Sequence, residues 1–155
     1  MNDMNVARNM EILLVEDSED DLELTLRAFK RASFTNVIHV ARDGEQGLDF
    51  LFCRGNYADR EFKDAPKLVL LDLKLPGKSG LEVLAWIRNQ DNELKELPVI
   101  VLTSSRQKQD IDQAYALGAH SYMAKPEGNF DELAEMVKAI NPNSSVEIPG
   151  SEMTT

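Results

Sequence analysis

Three short apolar runs limit what this chain can fold into. Ile12-Leu13-Leu14-Val15, Val69-Leu70-Leu71 and Val99-Ile100-Val101-Leu102 contain no polar residue. Each breaks off at groups that carry charge or hydrogen bonds: Glu16-Asp17, Asp72 and Thr103-Ser104. A strand with one wet face alternates polar and apolar residues. Unbroken runs instead suit strands covered on both faces, the condition of a parallel sheet between helical layers. Val37-Ile38-His39-Val40-Ala41 and His120-Ser121-Tyr122-Met123-Ala124 are more mixed and predict edge strands, with one side nearer water.

Between these runs the apolar period becomes helical, and five helices are expected. The first carries Leu22, Leu26 and Phe29 on one face, with Asp20 and Asp21 near its positive end. The second begins near Asp43 and includes Gly47-Leu48 and Leu51-Phe52. The third starts around Ser79 with Leu81, Leu84, Ala85 and Arg88, and the fourth has Ile111, Ala114 and Tyr115 with Gly118 as its stop. Phe130, Leu133, Ala134, Val137 and Ile140 form the fifth, halted by Asn141-Pro142. The fold class is therefore α/β, a (βα)5 chain with a parallel sheet and helices on both faces, because right-handed crossovers favour that arrangement.

A chain of 155 residues fits one domain. The expected division is an N-terminal extension at 1–9, a domain at 10–141 and a disordered tail rich in Ser, Pro, Gly and Thr at 142–155. Segment 54–65 is the long irregular connection. Lys and Arg total 17 against 27 Asp and Glu, a net charge of −10. That sign argues against direct contact with nucleic acid or an anionic membrane. No apolar run approaches the length of about 18 residues that a membrane span needs. Met1 to Asn5 lack the basic start of a secretory signal, and the one cysteine, Cys53, ends an apolar helix face. A cytoplasmic protein is expected.

In an open α/β sheet, ligands collect beyond the carboxyl ends of the strands. Here that rim receives Glu16-Asp17, Asp72, Thr103-Ser104 and Lys125-Pro126 from four separate segments. Any one of them reads equally well as a helix cap or a solvated turn; their common placement argues for a site. Three carboxylates in one cleft repel unless a cation compensates them. Hard oxygen ligands in this number suit Mg²⁺, and Mn²⁺ would accept the same set. An aspartate beside such a cation can attack a phosphoryl donor and become an acyl phosphate. Asp72, ending a central strand, is the expected nucleophile. Lys125 would neutralise phosphoryl oxygens and the Thr103 hydroxyl would donate a hydrogen bond to one of them.

Near-matches to other sites fail on position. Gly77-Lys78-Ser79 resembles the end of a phosphate-binding loop, but the required first glycine falls at Asp72 and Pro76 interrupts the segment. Asp17-Ser18-Glu19-Asp20-Asp21 has Leu22 where a calcium loop needs glycine. His39 and His120 lack partners at zinc-ligand spacing, and Met123 is ordinary core filler.

Ile12-Leu13-Leu14-Val15-Glu16-Asp17-Ser18, Leu71-Asp72-Leu73-Lys74-Leu75-Pro76-Gly77-Lys78-Ser79-Gly80, Leu102-Thr103-Ser104 and the stretch from Gly118-Ala119 through Tyr122 to Lys125-Pro126 together resemble a response-regulator receiver domain over residues 10–141. The resemblance implies a flavodoxin-like sheet in the order 2-1-3-4-5. It also implies a single-domain response regulator that accepts a phosphoryl group on Asp72 from a sensor histidine kinase in two-component signalling, and then switches a partner-binding surface. Such a module assists its own phosphorylation without being a metabolic enzyme. Glu16 and Asp17 would hold Mg²⁺ with Asp72 and the backbone carbonyl of Lys74. Thr103 and Lys125 match the family's phosphoryl-contacting hydroxyl and lysine, and Tyr122 the aromatic whose rotamer reports phosphorylation. Ser79 stands where relatives often carry an acid. The chain is further similar to single-domain regulators paired with phytochromes. That likeness implies a phytochrome kinase as partner, with a downstream phosphotransfer protein or regulator and a homodimer through the fourth and fifth helices as further partners. A small phosphatase, the main enzyme alternative, would want a second Asp where Lys74 stands. A flavin carrier would not tolerate carboxylates at its phosphate site. A phosphorylation-independent adaptor would be expected to lack one of the site residues.

Overall fold

The computed structural model describes residues 11–34, 36–61, 66–104, 107–125 and 130–139. Strands β1 (Ile12–Val15), β2 (Ile38–Ala41), β3 (Leu68–Asp72), β4 (Val99–Thr103) and β5 (Ser121–Ala124) alternate with helices α1 (Glu19–Arg31), α2 (Gly44–Phe52), α3 (Gly80–Arg88), α4 (Lys108–Ala116) and α5 (Asp131–Ala139). Short 3-10 turns at Gly55–Tyr57 and Glu93–Glu96 punctuate two connections. The strands form one parallel sheet in the order β2-β1-β3-β4-β5. The apolar runs are the three central strands, each fully buried, and the mixed segments lie at the edges as expected.

Side-chain alternation divides the core. Leu13, Val15, Val69, Leu71, Val99 and Val101 pack on one face with Leu48, Leu51, Val83, Leu84 and Ile87 of α2 and α3. Ile12, Leu14, Leu68, Leu70, Ile100 and Leu102 pack on the other with Ala28 and Phe29 of α1 and Leu133, Ala134 and Val137 of α5. Full burial of one such aliphatic side chain contributes roughly 1.5–3 kcal/mol, so two continuous layers hold the sheet in register.

Helix starts follow local chemistry. The side chains of Ser18, Asp43 and Ser79 accept hydrogen bonds from the backbone N–H of Asp21, Gln46 and Glu82, capping α1, α2 and α3. Gly118, at φ 102°, follows the end of α4 and closes it. Cys53 does the same for α2 at φ 55°, as the C-cap of a buried helix face.

One face differs from its expectation. The inward stripe of α1 is Thr25, Ala28 and Phe29, whereas Leu26 is 37% exposed. Thr25 can be buried because its hydroxyl donates to the Asp21 carbonyl at 2.7 Å, and Leu26 lies one helical step off that stripe. The tail beyond 142, the extension at 1–9, Ile140, the Asn141-Pro142 stop and part of segment 54–65 lie outside the described residues. Among the described residues no helix is long and apolar enough to cross a membrane.

Candidate functional site

Parallel strands point their carboxyl ends the same way, so β1, β3, β4 and β5 deliver their terminal residues to one rim. Asp72 and Thr103 are the last residues of β3 and β4, each strand running one position beyond its apolar run. Both are buried, as is Glu16 just past β1, while Asp17 next to it is exposed. Oxygen atoms of Glu16, Asp17 and Asp72 lie within 4.8 Å of one another. This is the donor set a hard divalent cation takes.

Lys125 follows β5 and turns back over this cluster. Its backbone N–H donates to the Thr103 carbonyl at 2.8 Å, extending the sheet ladder by one bond. Its side chain is 10% exposed, and Nζ lies 2.8 Å from Glu16 Oε1, 2.8 Å from Asp21 Oδ2 and 3.0 Å from Asp72 Oδ2. The second oxygens of the two buried acids are also engaged. Ser18 N–H donates to Glu16 Oε2 and Lys74 N–H to Asp72 Oδ1, each at 3.2 Å. The Lys74 side chain stands in solvent.

The electrostatics follow from crowding in a poorly solvated rim. Burial pushes the Glu16 carboxyl up to about 7; the Lys125 hydrogen bond opposes the rise and the nearby Asp72 charge adds to it. Burial draws the Lys125 ammonium downward, but the hydrogen bonds it donates to Asp21 and Glu16 and the Asp72 charge overcome this. Lys125 is held well above the ordinary lysine value and stays charged. One ammonium thus faces three carboxyl groups, with Asp17 beside two of them, an arrangement that attracts a further cation.

Tyr122 lies in β5, opposite Val101 of β4, half-buried against the core layer of α2, α3 and α4. The geometry therefore brings together Glu16, Asp17, Asp72 and Lys125, with Thr103 beside Asp72 on the neighbouring strand and Tyr122 on the next. Asp21 was not among the expected site residues. Its position three residues after Ser18 reads as helix capping, and only the fold shows that it reaches Lys125.

Comparison with known proteins identifies the family of this fold. Residues 12–138 match the family described as the response regulator receiver domain. The chain is 40% identical over 129 residues to response regulator Rcp1 of Synechocystis sp., covering 83% of this chain and 84% of that protein. The structure of Rcp1 in its Mn²⁺-bound form superimposes with a TM-score of 0.73, covering 90% of this chain and 99% of that one. The bacteriophytochrome response regulator RtBRR gives 0.75 at 40% identity, covering 94% and 87%. The phosphorylated cyanobacterial phytochrome response regulator RcpA gives 0.72 at 36% identity, covering 83% and 89%. Sheet order, the acidic cluster at the strand ends and the extent of the match lead to one assignment: the chain belongs to the response regulator receiver domain family, a class of signalling modules and not of metabolic enzymes.

Proposed function

We propose that Asp72 is the phosphoacceptor and that Mg²⁺ is the working cation, held by Glu16, Asp17, Asp72 and the Lys74 carbonyl. The observation that carries the reading is a buried strand-end carboxylate within 4.8 Å of two further acids and 3.0 Å from a lysine ammonium. A divalent ion, when bound, neutralises charge on the phosphoryl oxygens. In the transfer step a carboxylate oxygen of Asp72 attacks phosphorus, a P–O bond forms, and the bond to the donor breaks. Imidazole leaves from a phosphohistidine, or acetate from acetyl phosphate. Lys125 meets the negative charge that arrives with the group, and the Thr103 hydroxyl donates to a phosphoryl oxygen.

The same chemistry gives the switch. A charge-assisted hydroxyl–phosphoryl contact contributes about 1.5–3 kcal/mol, whereas inverting a 1:99 balance needs about 5.5 kcal/mol. Thr103 and Lys125 therefore act together, and Tyr122 fills the space that Thr103 leaves. The surface of α4, β5 and α5 changes, because both contacts sit at its entrances. The family supports a sensor histidine kinase as phosphoryl source, and the likeness to RtBRR and RcpA supports a phytochrome-type sensor.

The test is labelling of the purified chain with acetyl phosphate and Mg²⁺. A single aspartyl phosphate at Asp72, reduced to background in Asp72→Asn, is expected. Undiminished labelling of that variant overturns the reading.

A further inference from the structure

The first turn of α1 departs from the usual economy of a helix start. Ser18 is the N-cap and Asp21 stands at the third helical position, the spacing at which an acid normally reaches back to the N–H of the cap residue. Here that N–H is taken by Glu16 Oε2 at 3.2 Å. The Asp21 carboxylate is released from capping and crosses to Lys125 Nζ at 2.8 Å, a contact spanning 104 residues of sequence. Its main chain is fixed on both sides: its N–H donates to Ser18 Oγ, and its carbonyl accepts from the buried Thr25 hydroxyl.

A lysine ammonium has three N–H donors. Lys125 spends them on Glu16, Asp21 and Asp72. Two of those acceptors belong to the acidic group that converges on a cation position; Asp21 does not. Were Glu16 and Asp72 to turn their oxygens to a cation, or Asp72 to carry a phosphoryl group, Asp21 would be the one of these three acceptors left with Lys125. It is also the most exposed of the three, at 30%, on a helix whose first turn carries Glu19 and Asp20 towards solvent.

We infer that Asp21 is a positioning residue that anchors Lys125 over Asp72 before, during and after phosphotransfer, acting on the reaction solely through that lysine. The inference rests on Asp72 being the phosphoacceptor, and the experiment separates the two. Labelling by acetyl phosphate with Mg²⁺ is followed in the wild type, Asp21→Asn, Lys125→Ala and the double variant. Asp21→Asn is expected to slow labelling about threefold to tenfold in the wild-type background, and to change it less than about twofold when Lys125 is already alanine. Asp21→Glu, which keeps the charge, restores at least half of the rate. Without metal, the ¹⁵N-labelled Lys125 ammonium is expected to give a resonance protected from water exchange that Asp21→Asn removes; a merely structural role would leave it in place. Equal slowing in both backgrounds, no slowing at all, or an unchanged ammonium resonance overturns the inference. Failure of the wild type to label at Asp72 overturns instead the reading on which it rests.

Discussion

Gly80 abuts the backbone of Asp72. A Cβ built on Gly80 would lie 2.2 Å from the Asp72 carbonyl oxygen and 2.7 Å from the Leu73 Cα, while the Gly80 N–H donates to the Leu73 carbonyl at 3.0 Å. The start of α3 thus docks on the main chain that carries Asp72, with no room for a side chain. Rotamer change cannot relieve a clash with backbone. Gly80→Ala is therefore expected to destabilise the fold by about 1–3 kcal/mol and to displace Asp72. Urea unfolding and acetyl phosphate labelling should both suffer. Wild-type values in both would show that the α3 start does not set the position of Asp72.

Much of this arrangement could be read in advance, and the exceptions have a common cause. Three apolar runs located the central strands because burial on both faces leaves no polar alternation. Asp72, Thr103 and Lys125 were legible because strand ends in a parallel sheet share a rim. Asp21 was not, since an acid in a first helical turn already has a sufficient local reason to be there. On α1, Phe29 is buried and Leu22 packs on the core as expected, but Thr25 is polar by composition yet buried through its bond to Asp21, while Leu26 is apolar yet exposed. Contacts between residues far apart in sequence, such as Arg88 with His120, leave no local pattern at all.

Lys125 is the only cation that contacts the buried acids of the rim among the described residues. Lys125→Ala leaves Glu16, Asp21 and Asp72 without it, and breaking a buried ion pair by removing one partner costs about 3–5 kcal/mol. Uptake of a proton by Glu16, whose carboxyl already sits near 7, relieves part of this. A loss of about 2–4 kcal/mol is expected in urea titrations with a chelator present. Saturating Mg²⁺ should narrow the gap to wild type, because a bound cation replaces the missing charge and binds only the folded state. A variant as stable as wild type without metal would show that the lysine does not hold the rim together.

Arg88 at the end of α3 distributes its donors over two connections, the 3-10 turn before β4 and the turn between α4 and β5. Nε donates to the Gly118 carbonyl at 2.9 Å, Nη1 to the Lys95 carbonyl at 3.1 Å and Nη2 to His120 Nδ1 at 3.0 Å. A guanidinium cannot accept, so Nδ1 does, and the ring is neutral. Burial, and then the charge of Arg88, hold the His120 pKa below its ordinary 6.5. The unfolded chain therefore takes up a proton at higher pH than the fold. This contribution is fully present above about 6.5 and is lost as pH falls from there through the lower folded value. His120→Gln, which cannot be protonated, is expected to lose less Tm than wild type between pH 7 and pH 5. Parallel Tm profiles would remove His120 from the acid response.

Thr103 tests whether acceptance of the phosphoryl group and the response to it can be separated. Its side chain is fully buried at the end of β4, and its carbonyl already anchors the Lys125 main chain. Thr103→Val keeps the shape and the backbone bond but removes the donor. Losing a contact of about 1.5–3 kcal/mol should cut the ratio of switched to unswitched molecules by about tenfold or more, while Asp72 still labels. Heteronuclear NMR of the phosphorylated protein, read at β5 and α4, measures that ratio directly. Tyr122→Phe serves as the companion variant, because it preserves ring packing against the core and removes only the hydroxyl. If phosphorylated Thr103→Val shifts the β5 and α4 signals as far as wild type does, the hydroxyl does not drive the switch.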